Sequence, residues 1–362
     1  MASQPVYRLL TYTLFFAAFV LWGCTSEMRE QLKPVPNAFG EINELAIIAD
    51  RDMWESPIGD TIQFYYSSPF IILPQPEPIL DLRFFSPEDL EADLLRKQLR
   101  AYLFIGDLSD PNSAATKMMT SLVTDQAIQQ IRQNPKNNVI IGKDKWAQGQ
   151  MVICQFGRNR EELMNNLKEN YPAILKKIRE HDKAKIDATV YLGKRNYKLE
   201  QEVKDKIGIQ IRIPSDFFQA VSDGEVIWLR KETTETSSNL MFRKLPYRNQ
   251  GQLTREGIIA IRDSIGRKYI STRLPGTYMV TNGYDLPVYV SQVQVNNQFA
   301  VNARGIWEIE NDYMGGAFVS YLILNPKTNE LIFIDGFLHA PGVDKRNLIQ
   351  YLDHIINTTK IS

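Results

Sequence analysis

Toward the C-terminal end, four strand-length segments follow one another with no helix between them. They are LPVYVSQVQV (286–295), QFAVNARGIWEIE (298–310), GAFVSYLILN (316–325) and ELIFIDGFLH (330–339). The PKTN between the last two has the composition of a hairpin turn. Strands joined by so few residues pair antiparallel, because a parallel neighbour needs a crossover of roughly a dozen residues. GIQIRIP, GEVIWLRKE and NLMFRKLPY alternate in the same manner and read as a meander, with TTETSS as a further hairpin connection. Runs of adjacent strands beside helices predict an α+β fold with largely antiparallel sheets packed against helices, and argue against a doubly wound parallel sheet.

The first half reads differently. ELAIIA (44–49), ILDLRFF (79–85) and LRAYLFIGDL (99–108) are strand-like and separated by helical segments. PFIILPQPEP (69–78) carries four prolines and must be extended. Ser86 as N-cap, Pro87 at N1 and Asp89 at N3 open a helix. Residues 112–134 are helical with a break near Asp125, and residues 137–157 hold two strands around a turn. From 160 to 181, Leu163, Leu167, Tyr171, Ile174, Leu175 and Ile178 recur at three- and four-residue spacing as one apolar stripe. Further on, Thr254 caps a helix with Ile258, Ile261, Ile265 and Tyr269 on one face, and a last helix presents Leu348, Leu352 and Ile355.

The chain has 362 residues, 44% hydrophobic and 23% charged, enough for two subdomains with cores of their own. The expected layout is a leader (1–23), a polar tether (24–40), an N-terminal α/β-type subdomain (41–182), a basic connector (183–206) and a C-terminal α+β subdomain (207–362). In the connector, acidic residues interleave with the lysines, which fits a solvated helix face. The formal net charge is zero, so no nucleic-acid partner is expected.

At the N-terminus, LLTYTLFFAAFVL (9–21) is an apolar run of 13 residues. A membrane-spanning helix needs about 20, so the run suits the core of a secretory leader, with Arg8 before it. Leu21-Trp22-Gly23-Cys24 then resembles the lipobox of bacterial lipoproteins, with Trp22 departing from the smaller residue usual at its place. The resemblance implies cleavage before Cys24 and acylation of that cysteine, a lipid anchor to a membrane at the periplasmic face of the cell envelope. Two or more acyl chains give stable anchoring where one is marginal. An ordinary cleaved leader and an uncleaved anchor helix are the competing readings. The polar stretch after Cys24, with Pro34 and Pro36, reads as an extended tether. With Cys24 acylated, the second cysteine, Cys154, has no disulfide partner; in MVICQFG it reads as a small buried hydrophobe.

Chemistry-bearing patterns are sparse. There is no G-x-S-x-G elbow, no Walker loop (Gly142-Lys143 is followed by Asp144), no H-E-x-x-H and no C-x-x-C. His181, His339 and His354 are too scattered for a histidine-rich metal site, and neither a metal nor a cofactor is expected. Two polar clusters remain. One holds Asp335, His339, Asp344, Lys345 and Arg346; on an extended strand Asp335 and His339 share a face but stand about 13 Å apart. The other holds Arg304, Trp307, Glu308, Glu310, Asp312 and Tyr313, beside Gly315-Gly316, where a bend is a commoner reason for glycine than a ligand. Asp335, His339 and Glu308 are the candidates for catalysis.

RGIWEIENDYMGGAFVSYLI and DGFLHAPGVDKRNLIQYLDHII, with IIADRDMW and DKWAQGQMV earlier, resemble a lipoprotein family of Bacteroidota known only as a domain of unknown function. The resemblance implies an acylated envelope protein and carries over no catalytic residue. The leading expectation is a non-enzymatic binding or assembly module that meets envelope proteins or cell-wall components. The alternative is an envelope hydrolase with a site near Asp335, His339 and Glu308.

Overall fold

A computed structural model describes residues 35–361 apart from 72 and 135. The leader and Cys24 lie outside the described residues. The N-terminal part runs β1 (Glu44–Ile48), α1 (Arg51–Trp54), α2 (Pro57–Tyr66), β2 (Asp81–Phe85), α3 (Pro87–Ala92), β3 (Ala101–Asp107), α4 (Ala114–Ser121), α5 (Asp125–Gln133), β4 (Val139–Lys143), β5 (Met151–Gly157) and α6 (Arg160–Val190). The C-terminal part follows with α7 (Tyr197–Ile207), β6 (Ile209–Gln210), β7 (Phe218–Ser222), β8 (Val226–Glu232), β9 (Ser237–Pro246), α8 (Arg255–Tyr269), β10 (Tyr278–Asn282), β11 (Tyr289–Val295), β12 (Gln298–Glu310), β13 (Gly315–Asn325), β14 (Glu330–His339), α9 (Arg346–Ile356) and β15 (Lys360–Ile361).

The fold is α+β in two parts, each with a sheet packed against helices. In the first, five strands lie in the order β2-β1-β3-β5-β4, with β4 the one antiparallel member. Helices connect the parallel strands because each crossover must return the chain to the starting edge. One face packs against α2 and α6 through residues such as Ile62, Leu163 and Ile178; the other meets α3, α4 and α5 through Leu90, Met119 and Ile131. Buried on both faces, β3 and β5 read as near-continuous apolar runs, with Gln155 the polar residue inside β5 and Asp107 at the end of β3. The capping box at Ser86 and Asp89 forms as its spacing requires, and a break separates α4 from α5 just before Asp125.

The second sheet is wholly antiparallel, in the order β10-β12-β13-β14-β9-β8-β7, with β11 also paired to β12. Alternate residues of its strands face two cores. One core, with Ile334, Leu338 and Val319, is covered by α7 and α9. The other, with Phe333, Phe337 and Trp307, is covered by α8. In α9 the most buried residues are Ile349, Leu352, Ile355 and Ile356, with Leu348 at the margin rather than the centre. Fully burying a side chain of this size is worth about 1.5–3 kcal/mol. GIQIRIP does not join the meander: its strand β6 pairs with β15 at the chain's end.

Residues 183–206 hold the last two turns of α6, a loop and most of α7. No described helix is long and apolar enough to cross a membrane.

The two parts meet along α6 and α9. Asn43 Nδ2 donates to Asn347 Oδ1 (2.9 Å) and Gln350 Oε1 (2.8 Å). Arg346 Nη2 donates to Asp81 Oδ2 (2.6 Å), and its Nη1 to the Pro78 carbonyl (2.6 Å). Within the first part, Asp182 of α6 accepts from Asn43 N (2.8 Å) and Arg100 Nη2 (2.9 Å), which fixes the loop that faces α9.

Candidate functional site

The sequence-predicted residues do not converge. Asp335 is central in β14 and 1% exposed. Its Oδ2 lies 3.2 Å from Arg262 Nε, and Ser320 Oγ donates to its Oδ1 at 2.5 Å. Arg262 comes from α8, sits with Cζ 3.9 Å from the Phe318 ring centroid and donates to Thr281 Oγ1. Burial pushes the Asp335 carboxyl above its usual range, against the opposing pull of Arg262 and Ser320. This is a closed ion pair between a sheet and a helix, with no side open to a substrate.

His339 lies further along the same face of β14. Its Nδ1 is 3.0 Å from the Gly315 carbonyl, and its ring packs near Trp307. Glu308 points the other way. Trp307 and Ile309 belong to the α8-covered core, so strand alternation puts Glu308 on the opposite face, where it accepts from Asn282 Nδ2 at 2.9 Å. A catalytic group needs hydrogen-bond reach of its partner; Glu308 is separated from the other two by the sheet itself.

The rest of both clusters disperses likewise. Arg304 faces α9 and makes a two-pronged contact with Asp353 (3.0 and 2.9 Å). Trp307 donates to the Leu338 carbonyl at 3.2 Å, and Tyr313 is fully exposed. Glu310 is exposed and Asp312 half-buried at the turn after β12. Asp344 is exposed, while Lys345 and Arg346 are buried where the two parts join. Gly316 is required by strand packing: a Cβ there would stand 1.9 Å from the Leu338 carbonyl oxygen. Cys154 is 2% exposed in β5, and desolvation pushes its thiol up to about 12.

A different place gathers polar side chains. Where α6 ends, α7 begins and β15 closes the chain, the surface holds an open cleft of about 670 Å³. Asp187, near the end of α6, is its hub: Oδ1 is 2.9 Å from His354 Nε2 of α9 and also accepts from Arg212 Nη2. Burial raises the Asp187 carboxyl, but the hydrogen bonds from His354 and Arg212 outweigh it and hold the group below its ordinary range. Arg212 lies with Cζ 4.1 Å from the Tyr191 ring centroid, and Tyr191 donates to the Arg212 carbonyl. Across the cleft, Arg195 grips Glu200 through Nε and Nη2 and stacks over Tyr197 at 5.0 Å. Glu200 also accepts from Ile213 N. Asn296 Nδ2 donates to the Asn357 and Thr359 carbonyls, pinning the segment that carries Lys360.

Sequence reasoning missed this cleft. Its residues are scattered from 187 to 360, and none sits in a motif. The visible trace was His354, in the last turn of an amphipathic helix, and Tyr191, Arg195, Tyr197 and Arg212, spaced along residues 191–212. Among the described residues, no group of three or more His, Cys, Asp or Glu side chains is arranged to hold a metal ion.

No curated protein sequence matches the chain. Among solved structures, the Saccharomyces cerevisiae Ran-binding protein Mog1p aligns with 42% of this chain and 90% of its own, at 8% identity and a TM-score of 0.29. Human StAR-related lipid transfer protein 5 aligns with 45% of this chain and 93% of its own, at 9% identity and a TM-score of 0.22. Both scores are too low to carry a fold or a function from one protein to the other. The family models are firmer. Residues 38–191 match a domain of unknown function (DUF8532) and residues 196–358 match a second one (DUF4837), so the chain holds two domains of unknown function.

Proposed function

We propose that the protein is a lipoprotein of the bacterial cell envelope. Lipid on Cys24 holds it at the periplasmic face of a membrane, and a polar tether carries its two-part body, which is a non-enzymatic binding module. The observation that supports binding is the cleft, where Asp187 from the end of the first family match meets side chains that come mostly from the second. Ligand sites are concavities where a few polar groups converge. Side chains from α6, α7 and α9 converge there, and ion pairs hold its arginines in place. The hydrolase alternative lacks comparable support: Asp335 is sealed in an ion pair, and Glu308 lies across the sheet from His339.

Affinity capture from detergent extract tests the reading. Wild-type protein should recover a partner or cell-wall component, and Tyr197→Ala in the exposed wall of the cleft should lose most of that recovery. His339→Ala should recover it fully. Equal recovery by the Tyr197 variant would refute the cleft as the binding site. For the anchor, Cys24→Ala should abolish labelling with radioactive palmitate, and persistent labelling would refute acylation there.

A further inference from the structure

We propose that the cleft receives a ligand bearing phosphate or carboxylate groups, bound as an oxyanion by Arg212 and Arg195 and drawn in by Lys204 and Lys360. This rests on the binding-module reading and adds the chemistry of the ligand.

The charges in the cleft do not balance. Four permanent cations, Arg195, Lys204, Arg212 and Lys360, face two carboxylates, Asp187 and Glu200. The surplus is local, since the whole chain has a formal net charge of zero. The cations also differ in kind. Both arginines are already fixed, Arg195 by Glu200 and Arg212 by Asp187 and the Tyr191 ring. A guanidinium has five N–H donors in a rigid fork, so one carboxylate leaves donors for a second oxyanion. Arg212 Nε is buried and meets no hydrogen-bond partner among the described residues. A buried donor without a partner carries a free-energy cost, so the present contacts do not satisfy this guanidinium.

The lysines are the opposite case. Lys204 and Lys360 are exposed and make no side-chain ion pair or hydrogen bond among the described residues, whereas neighbouring Lys206 is paired with Glu202. Unpaired ammonium groups at the rim of a cleft steer anions and neutralise them on arrival. Fixed guanidinium donors on the walls and free ammonium groups at the rim suit a multiply charged oxyanion, and the volume admits one of small-molecule size. Phosphorylated and carboxylated ligands share this chemistry, and the probes separate them.

Isothermal titration of the full-length protein in detergent micelles with inorganic pyrophosphate, tripolyphosphate and citrate tests the proposal. Saturable one-to-one binding of at least one probe is expected, weakening as salt rises because rim charges are screened. Preference for the phosphates or for citrate names the source of the oxyanion. The exposed pair Lys204→Gln/Lys360→Gln should weaken binding about tenfold, as two surface ion pairs imply. Lys117→Gln/Lys168→Gln, on exposed positions outside the cleft, should leave it unchanged. Absence of saturable binding to all three probes, or equal weakening by the control pair, overturns the proposal. Loss of partner recovery in Tyr197→Ala alongside absent anion binding would overturn the ligand class alone. Anion binding with unimpaired recovery would support the ligand class and overturn the partner site.

Discussion

Glu77 of the N-terminal part caps the helix that begins at Arg346 in the C-terminal part. Its Oε2 accepts from Arg346 N at 2.8 Å and its Oε1 from Lys345 N at 2.7 Å. The first N–H groups of a helix have no intrahelical partner and carry a partial positive charge. Here α9 has no side-chain cap of its own, and a carboxylate 268 residues earlier in the chain supplies one.

This contact makes the stability of α9 depend on the seating of the two parts. Glu77→Gln should lower stability by about 1 kcal/mol, and Glu77→Ala by about 1–2 kcal/mol, the range for loss of a cap with its charge. Urea unfolding measures it. An unchanged midpoint in Glu77→Ala would show that the cap contributes nothing.

The Arg262–Asp335 pair should respond asymmetrically to substitution. Removing one partner strands a buried charge, so Asp335→Asn or Arg262→Met should cost about 3–5 kcal/mol. Replacing both, as Arg262→Met with Asp335→Leu, should restore most of the loss, because apolar groups of similar volume need no compensation. The double variant proving less stable than either single would argue that the pair stabilises the fold beyond satisfying itself.

Asp223, in the turn between β7 and β8, accepts hydrogen bonds from Glu225 N, Val226 N and Tyr269 Oη. They hold its carboxyl down at about 2, against an ordinary 3.8, with the two backbone donors leading. A folded-state value below the unfolded one means the contribution is present above the unfolded value and disappears as pH falls through the folded one. Stability should therefore drop between about pH 4 and pH 2, and the drop should be shallower in Asp223→Asn. Carbon-13 titration of the side-chain carboxyl checks the midpoint directly, and a value near 3.8 would contradict the hydrogen-bond account.

Cys154 should be inert. A thiol pushed up to about 12 by burial holds almost no thiolate near neutrality, and the thiolate is the reactive species. In a chain carrying Cys24→Ala, dithionitrobenzoate at pH 8 should label nothing while the protein is folded and one thiol per chain in urea. Rapid labelling of folded protein would show that β5 opens on that timescale.

Local structure was largely legible. The capping box at Ser86, the cap at Thr254 and the break before Asp125 all formed, because each depends on groups within about four residues. The hairpins of β12 to β14 formed for the same reason. Contacts at long separation were not legible. Asp344 is the nearest acidic residue before α9, yet Glu77 does the capping. Asp335 looked like a candidate catalyst because nothing in its neighbourhood announces Arg262 as its partner, 73 residues away. GIQIRIP alternates like a meander strand, but the end of the chain takes its ladder positions.

Periodicity, turn chemistry and capping by themselves determined that this chain has two sheet-and-helix parts, and the composition near Cys24 determined where a lipid anchor is expected. Only the tertiary structure decided which polar residues meet. Backbone preferences act over a few residues, whereas Asp187, Arg212 and His354 come from three segments remote in sequence and are neighbours only in the packed fold. A site assembled from remote segments leaves no local pattern, since no short-range interaction depends on it.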